Sequence, residues 1–200
     1  MNIKQDYDAN GINIANNIIS KDADIFLYEV ISRLSAIRRY NTRKFVSPQS
    51  VMEHSGSVVL ISMVISDILN QKGIKNDTEK VMRLAILHDI DETISGDLPH
   101  DAKYKNGELS KNLRLSLNEL TEYTTKNLLD LLNNSSQTSY YLSLFHEEKQ
   151  KVTIEAKIVK IADFYDVIIY GLQEEQLGNS NMNDAIENAK NGIKGIISQI

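Results

Sequence analysis

The 200-residue sequence contains no cysteine, which excludes disulfide bridges, thiolate metal sites and a cysteine nucleophile. Any bound metal ion must therefore use histidine and carboxylate side chains. Only four histidines are present, so the choice of imidazole ligands is small.

Long apolar runs are also missing. No segment approaches the roughly 18 uninterrupted apolar residues of a membrane span. The richest run, residues 58–69, is interrupted by Ser62, Ser66 and Asp67. Residues 1–6 lack a basic stretch followed by an apolar core, so we expect no secretion signal. We therefore expect a cytoplasmic protein with no membrane partner.

Positive charge is in the minority, with 22 lysines and arginines against 27 acidic residues and a net charge of −5. A protein that coats a nucleic-acid polymer needs a basic face, so we expect no such partner. A small anionic substrate is still compatible, because a few local cations or a metal ion can hold it. The 42% apolar content is typical of a soluble globular protein, and the length predicts a single domain over residues 1–200.

Prolines and glycines are few, two and nine respectively, and the stretches between them carry apolar residues three and four positions apart. This spacing predicts amphipathic helices, and no strand-like alternation competes with it. The predicted fold class is all-α, a helical bundle. Helices are predicted over 24–40 with Asp24 as the cap, 50–69, 77–88, 109–132, 153–173 and 184–198, with loops at 44–48 and 96–107.

One of these helices ends in a histidine and several acids, at His88, Asp89 and Glu92. A bare His-Asp pair also occurs at helix ends beside solvated acids, so the pair alone is weak evidence. Its weight comes from two residues on other predicted helices, His54 and Asp163. Asp163 is surrounded in the sequence by apolar residues, and a buried carboxylate needs a partner.

A divalent cation is a natural partner for this set. Three helices can bring His54, His88, Asp89 and Asp163 to one ion, with two imidazoles and two carboxylates as ligands. Such a set suits Co, Mn, Zn, Fe or Ni better than Mg or Ca, which prefer oxygen ligands alone. An ion held in this way favours phosphoester hydrolysis, with water attacking in line.

Two further acids are candidates for catalysis. Glu92 lies four residues after His88 and three after Asp89, on the same helix face, where it could orient or deprotonate the attacking water. Asp97 follows Gly96 and could act on the leaving oxygen. Glu92 can equally be an exposed helix-end glutamate, and Asp97 a turn or cap residue.

Three arginines, Arg38, Arg39 and Arg43, precede the His54 helix, and one of them is a candidate phosphate anchor. The alternative is a solvated basic helix end.

A second His-Asp pair, His100-Asp101, directly follows Pro99 and has no acid at the Glu92 spacing. We do not expect it to bind the catalytic metal ion. With His146 it could ligate a second ion, which we also do not favour.

The motifs resemble those of the bacterial HD-domain 5′-deoxynucleotidases. The family has a block in which HD is followed after two residues by E, after three more by GDLP, and then by KY. Residues 88–99, HDIDETISGDLP, together with Lys103 and Tyr104, are similar to this block. Residues 53–55 match its EHS, and Arg39 falls at its arginine before that histidine. Residues 155–163 match its closing EA to AD helix, so the resemblance covers about 34–172.

The resemblance implies an HD-domain helical bundle that hydrolyses deoxynucleoside 5′-monophosphates, uses a transition-metal ion and forms a homodimer. Tyr40 stands where the family often has a tryptophan beside the sugar. Residues 1–21 and 177–200 are expected to be peripheral helices or tails. The implied roles are metal ligation by His54, His88, Asp89 and Asp163, catalysis by Glu92 and Asp97, and substrate binding by Arg39, Tyr40 and Asp97.

Two alternatives remain open from the sequence. One is a deoxynucleoside triphosphate triphosphohydrolase on a similar frame. A triphosphate would need more cations, and beyond the cluster at residues 38–44 the sequence offers only isolated ones such as Lys103 and Lys105. The other is a nucleotide-binding module without catalysis.

Overall fold

The computed structural model describes residues 19–200, apart from the side chain of His100. Over this range the chain is helical and, except for an isolated backbone bridge between Arg38 and Ser50, has no strand pairing. The predicted all-α fold class is confirmed. The helices are α1 (Lys21–Ala36), α2 (Val51–Gln71), α3 (Thr78–Leu87), α4 (Glu92–Ser95), α5 (His100–Tyr104), α6 (Gly107–Asp130), α7 (Ser135–Gln150), α8 (Ile154–Gln176) and α9 (Asn183–Ile197).

The first described helix begins before the predicted residue. The Ser20 side chain accepts a hydrogen bond from Ala23 N at 3.2 Å and so caps α1. Asp24, the predicted cap, lies in the first turn instead, where its charge favours the positive end of the helix dipole. The peripheral segment predicted for residues 1–21 lies almost entirely outside the described residues.

The linker from α1 to α2 is longer than the predicted loop. The first helix ends at Ala36 rather than near Tyr40, because Arg39 N donates to Gln49 O at 3.0 Å and folds the linker back on itself. Tyr40 has a φ of 54°, which lies outside the helical region. The linker therefore places Arg39 and Tyr40 beside the start of α2.

The next two helices begin as predicted. Ser50 and Glu53 form a reciprocal capping box at the start of α2. Gly73, with a φ of 85°, follows the end of that helix. The Asp77 side chain accepts from Lys80 N at 3.1 Å and caps α3, which leads to the His-Asp pair.

The helix of His88 was predicted to reach Glu92, but it ends at Leu87, and a turn over residues 88–91 leads to the four-residue α4, which begins at Glu92. Two further helices lie where none was predicted. The first, α5, interrupts the predicted loop, because Pro99 with a φ of −53° favours entry into a helix. The second, α7, is capped by Asn134 and buries Leu144 and Phe145. Most of the remaining α7 side chains are polar, so no apolar period marks it in the sequence.

The main core lies among α2, α3 and α8, with α1, α6 and α7 packed around them. A second apolar cluster joins α8 to α9 and to the α1–α2 linker. Its buried members are Val167, Tyr170, Met182, Ile186 and Ala189, with Tyr40, Phe45, Phe164, Ile168 and Ala185 packed against them.

Close packing of α8 on α9 depends on two glycines, one on each helix. A Cβ atom at Gly171 would lie 2.7 Å from the Ile186 side chain, and one at Gly192 would lie 2.4 Å from the Phe164 ring. Each glycine thus accepts a large side chain of the other helix. This contact brings α9 against the part of α8 that carries Asp163.

In residues 19–200, α2 is the one helix whose length and mean hydropathy of 1.3 would also permit a membrane span. Core helices of soluble proteins share this composition. Only 33% of its apolar stretch is buried, and Leu60, Val64 and Ile68 are exposed along one face.

Candidate metal centre and adjoining cavity

Four side chains from three helices meet at one point in the described structure. His54 comes from α2 and Asp163 from α8, whereas His88 is the C-cap of α3 and Asp89 lies in the turn that follows. The His54 Nε2 atom lies 3.2 Å from His88 Nε2, 3.5 Å from Asp89 Oδ2 and 3.4 Å from Asp163 Oδ1. The ligand atoms of His54, His88 and Asp89 all lie within 4.8 Å of one another and could hold a metal ion.

Hydrogen bonds on the outer side of each imidazole fix its orientation. His88 Nδ1 donates to Ala85 O at 2.7 Å, and His54 Nδ1 donates to Asp166 Oδ2 at 2.6 Å. In the neutral rings both Nε2 atoms then carry lone pairs, and these lone pairs face each other. Two facing acceptors repel unless a proton or a metal cation lies between them, and outer hydrogen bonds of this kind are typical of metal-binding histidines.

The charges of the cluster also favour a cation. Burial acts to raise the pKa of Asp89, but the neighbouring His88 outweighs it and holds that pKa well below the usual range. The pKa of Asp163 is likewise lowered, because Lys160 and His54 outweigh its burial. Burial would lower the pKa of His88, yet Asp89 raises it to about 9, so without a metal ion a proton on His88 offsets one of the two carboxylate charges.

Glu92 stands beside this cluster in an unusual state. Its Oε2 atom is buried and has no hydrogen-bond partner among the described residues. Burial, followed by the charges of Asp89 and Asp97, raises the pKa of its carboxyl group to about 9. An unpartnered buried oxygen next to a candidate metal centre suits a group that receives a proton from water.

A cavity of about 580 Å³ opens from the cluster, a size that suits a nucleotide. It contains the predicted catalytic and substrate-binding side chains. Those that line it are Arg39, Tyr40, Asp89, Glu92, Asp97 and Asp163, together with Lys103, Lys105 and Lys160.

Of the three candidate arginines, Arg39 is the one held next to the cluster. Its Nη1 atom donates to Gln49 Oε1 at 2.8 Å and approaches Asp166 Oδ2 at 3.4 Å. Arg38 is exposed and pairs with Glu53 at 3.6 Å. The third arginine, Arg43, lines the cavity but its guanidinium forms two hydrogen bonds to the Asp184 carboxylate, at 2.6 and 2.7 Å.

The structure brings together Tyr40 and Asp97, which lie 57 residues apart in the sequence. Tyr40 N donates to Asp97 Oδ2 at 2.5 Å, so the carboxylate is held as an acceptor. The Tyr40 ring stacks on Tyr170 with centroids 6.3 Å apart, and the Arg39 guanidinium lies 5.0 Å from its centroid. The aromatic ring and the carboxylate therefore have fixed positions in the cavity wall.

In the second His-Asp pair, Asp101 is not part of the ligand cluster of His54, His88 and Asp89. Its carboxylate pairs with Lys105 at 2.8 Å. His146 Nε2 contacts the Glu122 carboxylate at 2.8 Å, in an adjoining cavity of about 520 Å³ whose wall also includes Asp89 and Glu92. The structure thus gives His146 a carboxylate partner, Glu122, and does not include His146 in the ligand cluster of His54, His88 and Asp89.

Sequence reasoning missed two polar residues of α8. Asp166 is buried and holds His54, and Lys160 donates to Asp163 Oδ2 at 2.7 Å. Both lie three residues from Asp163, on the same face of α8. That spacing within an apolar helix was the available signal. The contribution of α9 to the cavity has no such signal, because Asp184 and Asn188 belong to no recognisable motif.

Comparison with known proteins agrees with this arrangement. The profile of the family described as 5′-deoxynucleotidase YfbR-like matches residues 26–199, a wider range than the predicted 34–172, and it includes α9. A 5′-deoxynucleotidase of Photorhabdus laumondii is 31% identical over 157 residues, covering 78% of this chain and 77% of that protein.

Solved structures share the fold. A conserved hypothetical protein of Pyrococcus furiosus has a TM-score of 0.65 at 30% identity, covering 88% of this chain and 97% of that one. An HD-domain phosphohydrolase of Listeria innocua has a TM-score of 0.68 at 24% identity, covering 86% and 85%. The chain therefore belongs to the YfbR-like 5′-deoxynucleotidase family and has the HD-domain fold.

Proposed function

We propose that this chain hydrolyses deoxynucleoside 5′-monophosphates to deoxynucleoside and phosphate. The observation that carries the proposal is the convergence of His54, His88, Asp89 and Asp163 at one wall of a nucleotide-sized cavity. Membership of a 5′-deoxynucleotidase family supports the reaction and the substrate class.

The four clustered side chains would hold one divalent transition-metal ion. Two imidazole nitrogens and two carboxylate oxygens suit Co, Mn, Zn, Fe or Ni better than Mg or Ca. When bound, such an ion supplies Lewis-acid polarisation of the phosphoryl group and lowers the pKa of water.

Glu92 is the proposed proton acceptor. Without a metal ion its raised pKa keeps the carboxyl group protonated, whereas a cation bound at the neighbouring cluster would lower that pKa and ionise it. The unpartnered Oε2 atom can then receive a proton from the attacking water. The same proton is then available to the 5′-oxygen of the departing deoxynucleoside. Glu92 would thus serve as base and afterwards as acid.

Substrate binding divides between two neighbouring parts of the cavity. Arg39, fixed by Gln49 and Asp166, would bind the phosphate oxygens. The Tyr40 ring would contact the sugar, and Asp97 would accept a hydrogen bond from a sugar hydroxyl. Because Asp97 already accepts a backbone N–H, this binding role is better supported than proton transfer to the leaving oxygen.

The monophosphate is favoured over a triphosphate by the pairing of cations around the cavity. A triphosphate carries more negative charge and needs more cations that are not already neutralised. Apart from Arg39, three of the lining cations are instead paired with carboxylates, namely Arg43 with Asp184, Lys105 with Asp101 and Lys160 with Asp163.

We further propose that the protein is a cytoplasmic homodimer. Bacterial relatives named 5′-deoxynucleotidase and a metabolite substrate support the compartment. The exposed face of α2 with Leu60, Val64 and Ile68 supports a self-association surface, because these apolar side chains recur every four residues on one side of the helix.

The test is release of phosphate and nucleoside from deoxy- and ribonucleoside mono- and triphosphates, with Mn or Co supplied. We expect free phosphate and deoxynucleoside from the deoxynucleoside monophosphates. Tripolyphosphate from triphosphates would move the function to a triphosphohydrolase, and no turnover of any nucleotide would favour a binding module. Glu92→Gln should lower turnover by about 10²–10⁴-fold, while Glu119→Gln on the exposed face of α6 is the matched control.

A further inference from the structure

The polarity of the cavity wall changes along α8. Beside Asp163 it is lined by charged groups, whereas the next residues of α8 that line it are Phe164 and Val167. From α9, the small residues Ala185 and Ala189 line the same cavity. A single cavity therefore presents cations and the metal ligands in one region and an aromatic and aliphatic wall in another.

The Phe164 ring is held firmly in this wall. Lys160 Nζ lies 4.3 Å from the ring centroid on one side. One edge of the ring rests against Gly192, where an added Cβ atom would lie 2.4 Å from Cε2 and 2.6 Å from Cζ. A fixed aromatic ring bound by a cation and by a glycine backbone is a suitable platform for a flat, apolar ligand group.

We propose that Phe164 and the facing residues of α9 bind the nucleobase of the substrate. This inference rests on the proposed function, which places the phosphate near Arg39 and the metal ligands. A nucleobase has apolar faces and polar edges. The wall of Phe164, Val167 and Ala189 would contact a face, and the Asn188 amide, which lines the cavity, can both donate to and accept from an edge.

Gly192 is then a positioning residue for the base. A methyl group at this position must displace the Phe164 ring or move α9 outward, and either change alters the wall that the base would contact. Gly195 lies on the same helix and provides a matched control, because a Cβ atom there meets no other atom within 4 Å.

The experiment compares wild type, Gly192→Ala and Gly195→Ala on two phosphate esters, deoxyguanosine monophosphate, which has a base, and 2-deoxyribose 5-phosphate, which has none. The readout is kcat/KM for deoxyguanosine monophosphate divided by kcat/KM for 2-deoxyribose 5-phosphate. We expect this ratio to fall about tenfold in Gly192→Ala and to stay at the wild-type value in Gly195→Ala. Equal ratios in all three proteins would overturn the inference, as would a wild-type ratio near one.

Binding of deoxyguanosine, measured by calorimetry, provides a readout that does not need hydrolysis. We expect weaker binding in Gly192→Ala and in Phe164→Leu, which removes the aromatic ring without adding an atom to the helix contact. Reduced binding in a protein that hydrolyses nothing would support the base site and contradict the proposed function. Hydrolysis with unchanged deoxyguanosine binding in both variants would do the reverse.

Discussion

His54 and Asp166 lie 112 residues apart in the sequence and share a buried hydrogen bond of 2.6 Å between Nδ1 and Oδ2. The same carboxylate oxygen accepts from Gln49 Nε2 at 3.1 Å and lies 3.4 Å from Arg39 Nη1. One acid thus orients a proposed metal ligand and the proposed phosphate anchor together. Asp166 therefore couples the two halves of the proposed site.

Replacement of this acid should weaken metal binding. In Asp166→Asn the imidazole of His54 loses an ionised acceptor, and we expect metal affinity to fall about 10–100-fold. Competition with a fluorescent chelator measures the affinity. Asp130→Asn, an exposed acid at the end of α6, is the control, and equal affinities in the two variants would argue against the role of Asp166.

Arg39 should be sensitive even to a conservative change. Lysine keeps the charge but loses the planar fork that contacts Gln49 and Asp166, so Arg39→Lys should lower kcat/KM for a deoxynucleoside monophosphate about 10–100-fold. Arg38→Lys is the matched control, because Arg38 is exposed and forms only a 3.6 Å ion pair. Similar kinetics for both variants would show that Arg39 does not anchor the phosphate.

The raised pKa of Glu92 predicts a pH dependence of stability in the metal-free protein. Folding raises this pKa from 4.5 to about 9, so the folded state binds the proton more tightly. The stabilisation by that proton is fully present below pH 4.5 and is lost as the pH rises toward 9. Glu92→Gln carries no such proton and is spared this loss.

Thermal unfolding at two pH values measures the effect. The Tm of Glu92→Gln minus that of wild type should be larger at pH 8 than at pH 5, by about 4 °C or more for a protein of this size. Both proteins must be treated with a chelator, because a bound cation would lower the pKa of Glu92. A difference in Tm that does not change with pH would contradict the buried, proton-binding state of Glu92.

The exposed face of α2 predicts a change in oligomeric state. Leu60 is 60% exposed, and a charge at this position should weaken a dimer that buries the face. We expect sedimentation of wild type as a dimer and of Leu60→Asp as a monomer. Leu115→Asp on α6 is the control and should remain dimeric, because Leu115 is 55% exposed on another helix. A monomeric wild type would contradict the proposed homodimer.

The sequence predicted the parts of this molecule that repeat a simple period or motif. The amphipathic spacing was sufficient for the all-α fold class, and helix caps placed the starts of α2 and α3. The structure also brings His54 together with His88, Asp89 and Asp163, as the sequence analysis anticipated. Their role as metal ligands stays a prediction.

Two of the helices, the role of Asp166 and the packing of α9 were not predicted, because they depend on tertiary contacts that leave no clear pattern in the sequence. The helix α7 has too many polar residues to show an apolar period. The short α5 was predicted as loop, because Pro99 precedes it and proline is common in loops. Asp166 shows its function only through contacts made across more than 100 residues. The close packing of α9 on α8 depends on Gly171 and Gly192, because a side chain at either position would clash with the other helix.

The most direct test of the account is a titration of chelator-treated protein with Mn²⁺, in which bound metal and phosphate release from deoxyguanosine monophosphate are measured together. We predict that activity rises in proportion to bound metal and is complete at one ion per chain, and that His88→Ala neither binds the ion nor regains activity. Full turnover of the metal-free protein, or metal-dependent activity that survives in His88→Ala, would contradict the account.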